Sequence, residues 1–135
     1  MKKKVLIVTG GGDCPGLNAV IRAIYKRAKA EGWEAVGSRD AYNGIMEDPP
    51  ELITLNSQVT GGIHVKGGTV LGTTNKGEPF SYPLKMPDGS IQVTDISDDL
   101  IQRIKDQGFD AVISIGGDGS QSIAYRLYQK GLKVV

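Results

Sequence analysis

Twice in this chain a short run of apolar, β-branched residues stops at a cluster of glycines, and an amphipathic stretch follows at once. Val5-Leu6-Ile7-Val8 runs into Gly10, Gly11, Gly12 and Gly16; then Leu17, Val20, Ile21, Ile24 and Ala28 recur at helical spacing. Residues 110–115 run into Gly116, Gly117 and Gly119, and the pattern predicts a helix over 120–130. A continuously apolar strand is one buried on both faces, and such strands belong to parallel sheets covered by helices on each side. The fold class expected is therefore α/β, a three-layer α/β/α sandwich on a mainly parallel sheet. In that architecture the strand-to-helix turns lie along the carboxyl edge of the sheet, where ligands bind.

The remaining segments fit around this frame. The first helix is predicted to end near Ala30 with Gly32 closing it, and residues 34–37 return as a strand, completing a βαβ unit with a right-handed crossover. Segments 53–55 and 69–71 are short enough to be strand or loop. Asp88-Gly89 between segments 81–86 and 90–94 predicts a small surface β-hairpin. Asp98 is the expected N-cap of a helix carrying Leu100, Ile101 and Ile104, which ends near Gly108. Residues 1–135 are expected to form one domain. The last four, Leu132-Lys133-Val134-Val135, read as the start of a buried strand, so the chain is expected to be truncated.

Composition removes several function classes. Sixteen Lys and Arg against 15 Asp and Glu leave a net charge of +1, which removes the electrostatic case for a nucleic-acid or membrane-surface partner. A single Cys forms no internal disulfide. No apolar run reaches the roughly 18 residues of a membrane helix, and the stretch after Lys2-Lys3-Lys4 is too short for a signal peptide. The expectation is a cytoplasmic protein.

Twelve of the 19 glycines fall into three clusters, 10–16, 61–72 and 116–119. Glycine at a strand-to-helix turn lets a ligand approach the backbone, and the helix start supplies N–H groups and partial positive charge, so phosphate is the natural ligand. Glycine as plain turn punctuation is the competing reading. Neither cluster has the dinucleotide spacing: from Gly10 the third position is Pro15, and from Gly11 the second is Asp13. No Gly-Lys-Ser/Thr of the Walker type occurs. Asp118 is either a helix cap or a carboxylate holding Mg²⁺ against nucleotide phosphates. Ser120 offers its hydroxyl to a phosphate or to the helix, and Asp13 has the same choice within its turn. His64, the only His, is expected to be solvated or capping, and Cys14 to fill a turn.

The stretch Thr9-Gly10-Gly11-Gly12-Asp13-Cys14-Pro15-Gly16-Leu17-Asn18-Ala19-Val20-Ile21-Arg22 resembles the opening motif of the 6-phosphofructokinase family. Gly67-Gly68-Thr69-Val70-Leu71-Gly72 and Ile115-Gly116-Gly117-Asp118-Gly119-Ser120 resemble its second and third motifs, in order and spacing. The resemblance implies Mg²⁺-dependent phosphoryl transfer from ATP to fructose 6-phosphate, giving fructose 1,6-bisphosphate in glycolysis, with this chain supplying the donor site. It places Gly11, Gly12, Asn75, Lys76, Gly117, Asp118, Gly119 and Ser120 at the nucleotide and its phosphates, and Asp118 at the metal. It also implies a homo-oligomer, dimer or tetramer, when complete. In bacterial members an Arg on the first helix and a basic residue one turn later bind a nucleotide effector. Arg22 and Lys26 hold those positions here, with an exposed basic helix face as the competing reading.

Two departures qualify what the resemblance implies. Asn75-Lys76 stands where many ATP-dependent members carry Arg, and segment 73–80 resembles the branch that includes mixed ATP- and pyrophosphate-using enzymes. Gly119 favours ATP, since strictly pyrophosphate-dependent members usually carry Asp there. The family's catalytic carboxylate and sugar-phosphate pocket lie beyond Val135, so the chain alone is expected to be inactive. Pyrophosphate as donor, a non-catalytic nucleotide-binding module, and an NAD or lipid kinase sharing Gly-Gly-Asp-Gly are the alternatives.

Overall fold

The computed structural model describes residues 2–10, 16–74 and 78–135. The elements run β1 (Lys4–Thr9), α1 (Leu17–Ala30), β2 (Glu34–Ser38), α2 (Asn43–Met46), β3 (Leu52–Thr54) and α3 (Ser57–Thr60). A 3-10 turn (Ile63–Val65) follows, then β4 (Tyr82–Lys85), β5 (Ile91–Thr94), α4 (Ser97–Asp106), β6 (Ala111–Ile115) and α5 (Asp118–Gln129).

The main sheet has the order β3-β2-β1-β6. β1 is its centre and pairs in parallel on both sides, from Lys4↔Glu34 to Ile7↔Gly37 with β2 and from Val5↔Ala111 to Thr9↔Ile115 with β6. Successive side chains of a strand point to opposite faces. Leu6 and Val8 accordingly enter one core with Leu100, Ile104 and Leu127 from α4 and α5. Val5 and Ile7 enter the other with Ile21 and Ala28 from α1. This is the expected three-layer sandwich. β3 runs antiparallel to β2 at the edge, because the one-turn α2 between them is too short for a crossover.

Beyond β6, residues 133–135 lie in parallel beside it, Val112 pairing with Val134. The Val112 N–H donates to the Lys133 carbonyl (2.9 Å) and the Ser114 N–H to the Val135 carbonyl (2.8 Å). The hairpin also forms where Asp88-Gly89 placed it: β4 and β5 pair antiparallel from Tyr82↔Thr94 to Lys85↔Ile91. The Asp88 carboxylate accepts both the Ser90 N–H and hydroxyl across the turn.

One expectation is corrected. Asp98 is not the cap of α4: it lies in the first turn, paired with Lys130 Nζ at 2.9 Å. Asp95 closes that end, its carboxylate accepting the Ser97 N–H (2.9 Å) and hydroxyl (2.6 Å). Of the two segments left open between strand and loop, 69–71 is part of a turn, its polar groups taken by side chains from β1 and α1 rather than by a sheet neighbour.

Candidate functional site: the crevice between β1 and β6

β1 and β6 are neighbours, yet their following helices leave to opposite faces of the sheet. α1 carries the chain towards β2 on one face, and α5 carries it towards residues 133–135 on the other. Diverging crossovers between adjacent parallel strands open a crevice at their carboxyl ends, the topological switch point where ligands bind in open α/β sheets. The two glycine-rich turns meet there. The Gly10 N–H donates to the Ile115 carbonyl at 2.8 Å, tying the end of β1 to the end of β6.

Both long helices that start at this crevice start from glycine. Gly16 precedes α1 and Gly117 precedes α5, and neither start has a side-chain cap. In α5 the first helical bond runs from the Gln121 N–H to the Gly117 carbonyl (3.0 Å), so the N–H groups of Asp118, Gly119 and Ser120 lie outside the helical ladder. The glycines of this turn have different tasks. A Cβ on Gly116 would sit 2.7 Å from Ser120 Cβ and 2.9 Å from the Gly10 carbonyl oxygen, and one on Gly10 would collide with the Ser120 side chain. These two are small because the floor of the turn is packed. Gly117 and Gly119 would meet nothing within 4 Å. Their backbone is open to an approaching group.

The sequence placed Gly117, Asp118, Gly119 and Ser120 at the phosphates. The structure brings these four together at the mouth of the crevice, with Asp118 exposed in the first turn of α5 and Ser120 half-buried beneath it. Asp118 therefore does not cap its helix; Gly117 holds that position. Gly11, Gly12, Asp13, Cys14, Asn75 and Lys76 lie outside the described residues. Arg22 is half-buried and Lys26 exposed, one turn apart on α1. His64 is exposed in the 3-10 turn, as expected.

Residues the sequence did not single out hold the second glycine cluster in place. Asn18, almost wholly buried on α1, donates to the carbonyls of Lys66 (3.2 Å) and Gly67 (3.3 Å) and accepts from the Val70 N–H (2.7 Å). Thr9, the last residue of β1 and fully buried, donates its hydroxyl to the Gly72 carbonyl at 3.0 Å. Its single proton being spent there, the Thr69 hydroxyl is the donor in the 3.0 Å contact between the two threonines. A polar residue on the inward face of α1, between Leu17 and Ile21, is the signal that could have found Asn18.

Beneath the turn lies a pocket of about 70 Å³ whose walls include Thr9, Gly10, Tyr42, Glu78, Ser114 and Ser120. Tyr42 and Glu78 had no signal in the sequence, since both reach the crevice only through the fold. Burial pushes the Tyr42 phenol up to about 12, opposed by the Ser114 hydroxyl.

The donor set suits a phosphate and a magnesium ion. Mg²⁺ is held by one or two carboxylates while keeping several waters and phosphate oxygens, rather than by an all-protein cage. Among the described residues no group of three His, Cys, Asp or Glu forms such a cage, and Asp118 is one exposed carboxylate beside open glycine backbone. No helix of the described residues is long and apolar enough to cross a membrane.

Comparisons with known proteins point to one family. The family model described as Phosphofructokinase matches residues 4–135. An ATP-dependent 6-phosphofructokinase 1 of Nostoc sp. is 47% identical over 129 residues, covering 96% of this chain and 35% of its own length. A pyrophosphate–fructose 6-phosphate 1-phosphotransferase of Amycolatopsis mediterranei is 38% identical over 133 residues, 98% of this chain and 35% of its own length. The crystal structure of Pichia pastoris phosphofructokinase in the T-state superposes with a TM-score of 0.79 at 27% identity, over 100% of this chain and 13% of that one. The chain spans about a third of the length of the curated relatives it matches. With the model matching nearly every residue and the fold agreeing throughout, the chain belongs to the phosphofructokinase family.

Proposed function

We propose that residues 1–135 form the nucleotide-binding domain of a cytoplasmic 6-phosphofructokinase and supply its phosphoryl-donor site. The reaction is transfer of the γ-phosphoryl group of ATP to the 1-hydroxyl of fructose 6-phosphate. The observation that carries this reading is the open start of α5 at the switch point, where Gly117 and Gly119 leave the backbone accessible and the cap residue has no side chain to take the helix's first donors. The N–H groups of residues 118–120 bind phosphate oxygens, aided by the positive end of the helix. Gly10, Gly116 and Ser120 form the packed floor that fixes where those donors point. Asp118 would hold Mg²⁺, which neutralises charge on the phosphates when bound. Catalysis of this kind is mostly positioning and electrostatic stabilisation, so a rigid cradle is what this part of the fold contributes. Gly11, Gly12, Asn75 and Lys76 join the same site in this reading, and Arg22 with Lys26 a separate effector site.

Calorimetric titration of the 135-residue chain with Mg-ATP tests the reading. Asp118→Ala is expected to weaken binding about tenfold or more, as is chelation of Mg²⁺. A folded chain that takes no Mg-ATP overturns the donor-site assignment. Because the chain spans about a third of its curated relatives, the expected coupled-assay turnover with fructose 6-phosphate is none. Pyrophosphate is the second reading, favoured by the Amycolatopsis relative at 38% identity.

A further inference from the structure

Two buried side-chain polar atoms, among the described residues, lack a well-formed hydrogen bond, and both line the pocket beneath the β6–α5 turn: Glu78 Oε2, and the Tyr42 hydroxyl, which faces the Ser114 hydroxyl without meeting hydrogen-bond geometry. Tyr42 is more than nine-tenths buried. Buried polar groups in native proteins are almost always satisfied, and exceptions at a cleft mark a place where a ligand completes the bonding. The two atoms differ in kind. A phenol both donates and accepts, whereas a carboxylate only accepts. What completes Glu78 must therefore bring an O–H or N–H.

That requirement separates the two phosphoryl donors. Pyrophosphate presents chiefly acceptor oxygens and negative charge, so a carboxylate in the pocket wall repels it. A nucleotide presents ribose hydroxyls and a base amino group, either of which can donate to a carboxylate. The pocket has room for such an edge, though not for a whole nucleotide. It adjoins Gly10 and Ser120, the floor of the phosphate cradle, so a ligand with its phosphates at α5 has its remainder within reach.

We propose that Glu78 sets donor specificity: its carboxylate accepts a hydrogen bond from the nucleoside of the phosphoryl donor, beside the Tyr42 phenol, and disfavours inorganic pyrophosphate. This rests on the donor-site reading above and chooses within it. The test is titration of the folded 135-residue chain with Mg-ATP and, separately, Mg-pyrophosphate. Glu78→Gln, nearly isosteric, is expected to weaken Mg-ATP about tenfold and to tighten Mg-pyrophosphate, so that their affinity ratio falls. Glu78→Asp keeps the charge and shortens the reach, and is expected to weaken Mg-ATP while leaving pyrophosphate disfavoured. This second variant carries the test if the first does not fold. If wild type binds Mg-ATP and Asp118→Ala weakens it, yet neither Glu78 variant changes the ratio, the specificity role is overturned and the donor site stands. If folded wild type binds neither ligand, the donor-site reading falls and the proposal with it.

Discussion

Two helices of this chain begin in opposite ways. At α4 the Asp95 carboxylate takes the N–H and hydroxyl of Ser97, and Lys130 Nζ adds a bond to the Ser97 hydroxyl at 2.7 Å. That end is closed by the protein's own groups. At α5 a glycine, with no side chain to reach back, stands at the cap, and the next open glycine follows two residues later. A helix start has free donors and a partial positive charge in both cases. What differs is location. α4 starts after the surface hairpin, and α5 starts at the switch point beside β1. The fold satisfies the first internally, and the second is the start to which the proposed function assigns phosphate.

The sharpest way to break this contrast is to close α5 as α4 is closed. Gly117→Asp introduces a cap into open space, so stability should change by no more than about 0.5 kcal/mol. Its carboxylate competes with phosphate for the same donors, and calorimetry should show Mg-ATP binding weakened about a hundredfold. Unchanged binding would mean the open start is not where phosphate sits.

A smaller effect is expected one residue earlier. Gly116→Ala drives a Cβ into Ser120 and the Gly10 carbonyl, and urea unfolding should report a loss of about 1–3 kcal/mol. Adding Ser120→Gly should cost less than the two single changes summed, because they relieve the same contact. Equal stability of Gly116→Ala and wild type would show that the floor is not packed.

The smallest effect belongs to α4. Asp95→Ala should lower the thermal midpoint slightly and leave Mg-ATP binding intact. The Ser97 hydroxyl, then its N–H, hold the Asp95 carboxyl below its ordinary value of 3.8. A depressed carboxyl contributes stability above its unfolded value and loses it as pH falls through the folded one. Acid titration of stability should therefore show a shallower loss below about pH 4 in the variant. A parallel acid limb would remove the capping role.

Much of this was legible locally. The apolar runs at β1 and β6, the helical spacing of α1, the hairpin at Asp88-Gly89 and the glycine-rich strand-to-helix turn at 116–120 each depend on residues within a few positions of one another. The cap of α4 falls at Ile96 rather than Asp98, with the Asp95 carboxylate before it taking the Ser97 N–H, since several acidic residues crowd that end and only the backbone path selects among them. Thr9, Asn18, Tyr42 and Glu78 were not legible as site residues. Thr9 and Asn18 act through partners as far as 63 residues away, as in the bond from Thr9 to Gly72, and Tyr42 and Glu78 reach the pocket wall only through the fold.

By itself, then, the sequence determined that buried strands end in glycine turns that start helices, because periodicity and turn chemistry act over short range. Only the tertiary structure decided that β1 and β6, a hundred residues apart, lie side by side with their helices on opposite faces. Burying both faces of β1 settles that arrangement. It is also what turns two separate glycine turns into one crevice, with Tyr42 and Glu78 in its wall.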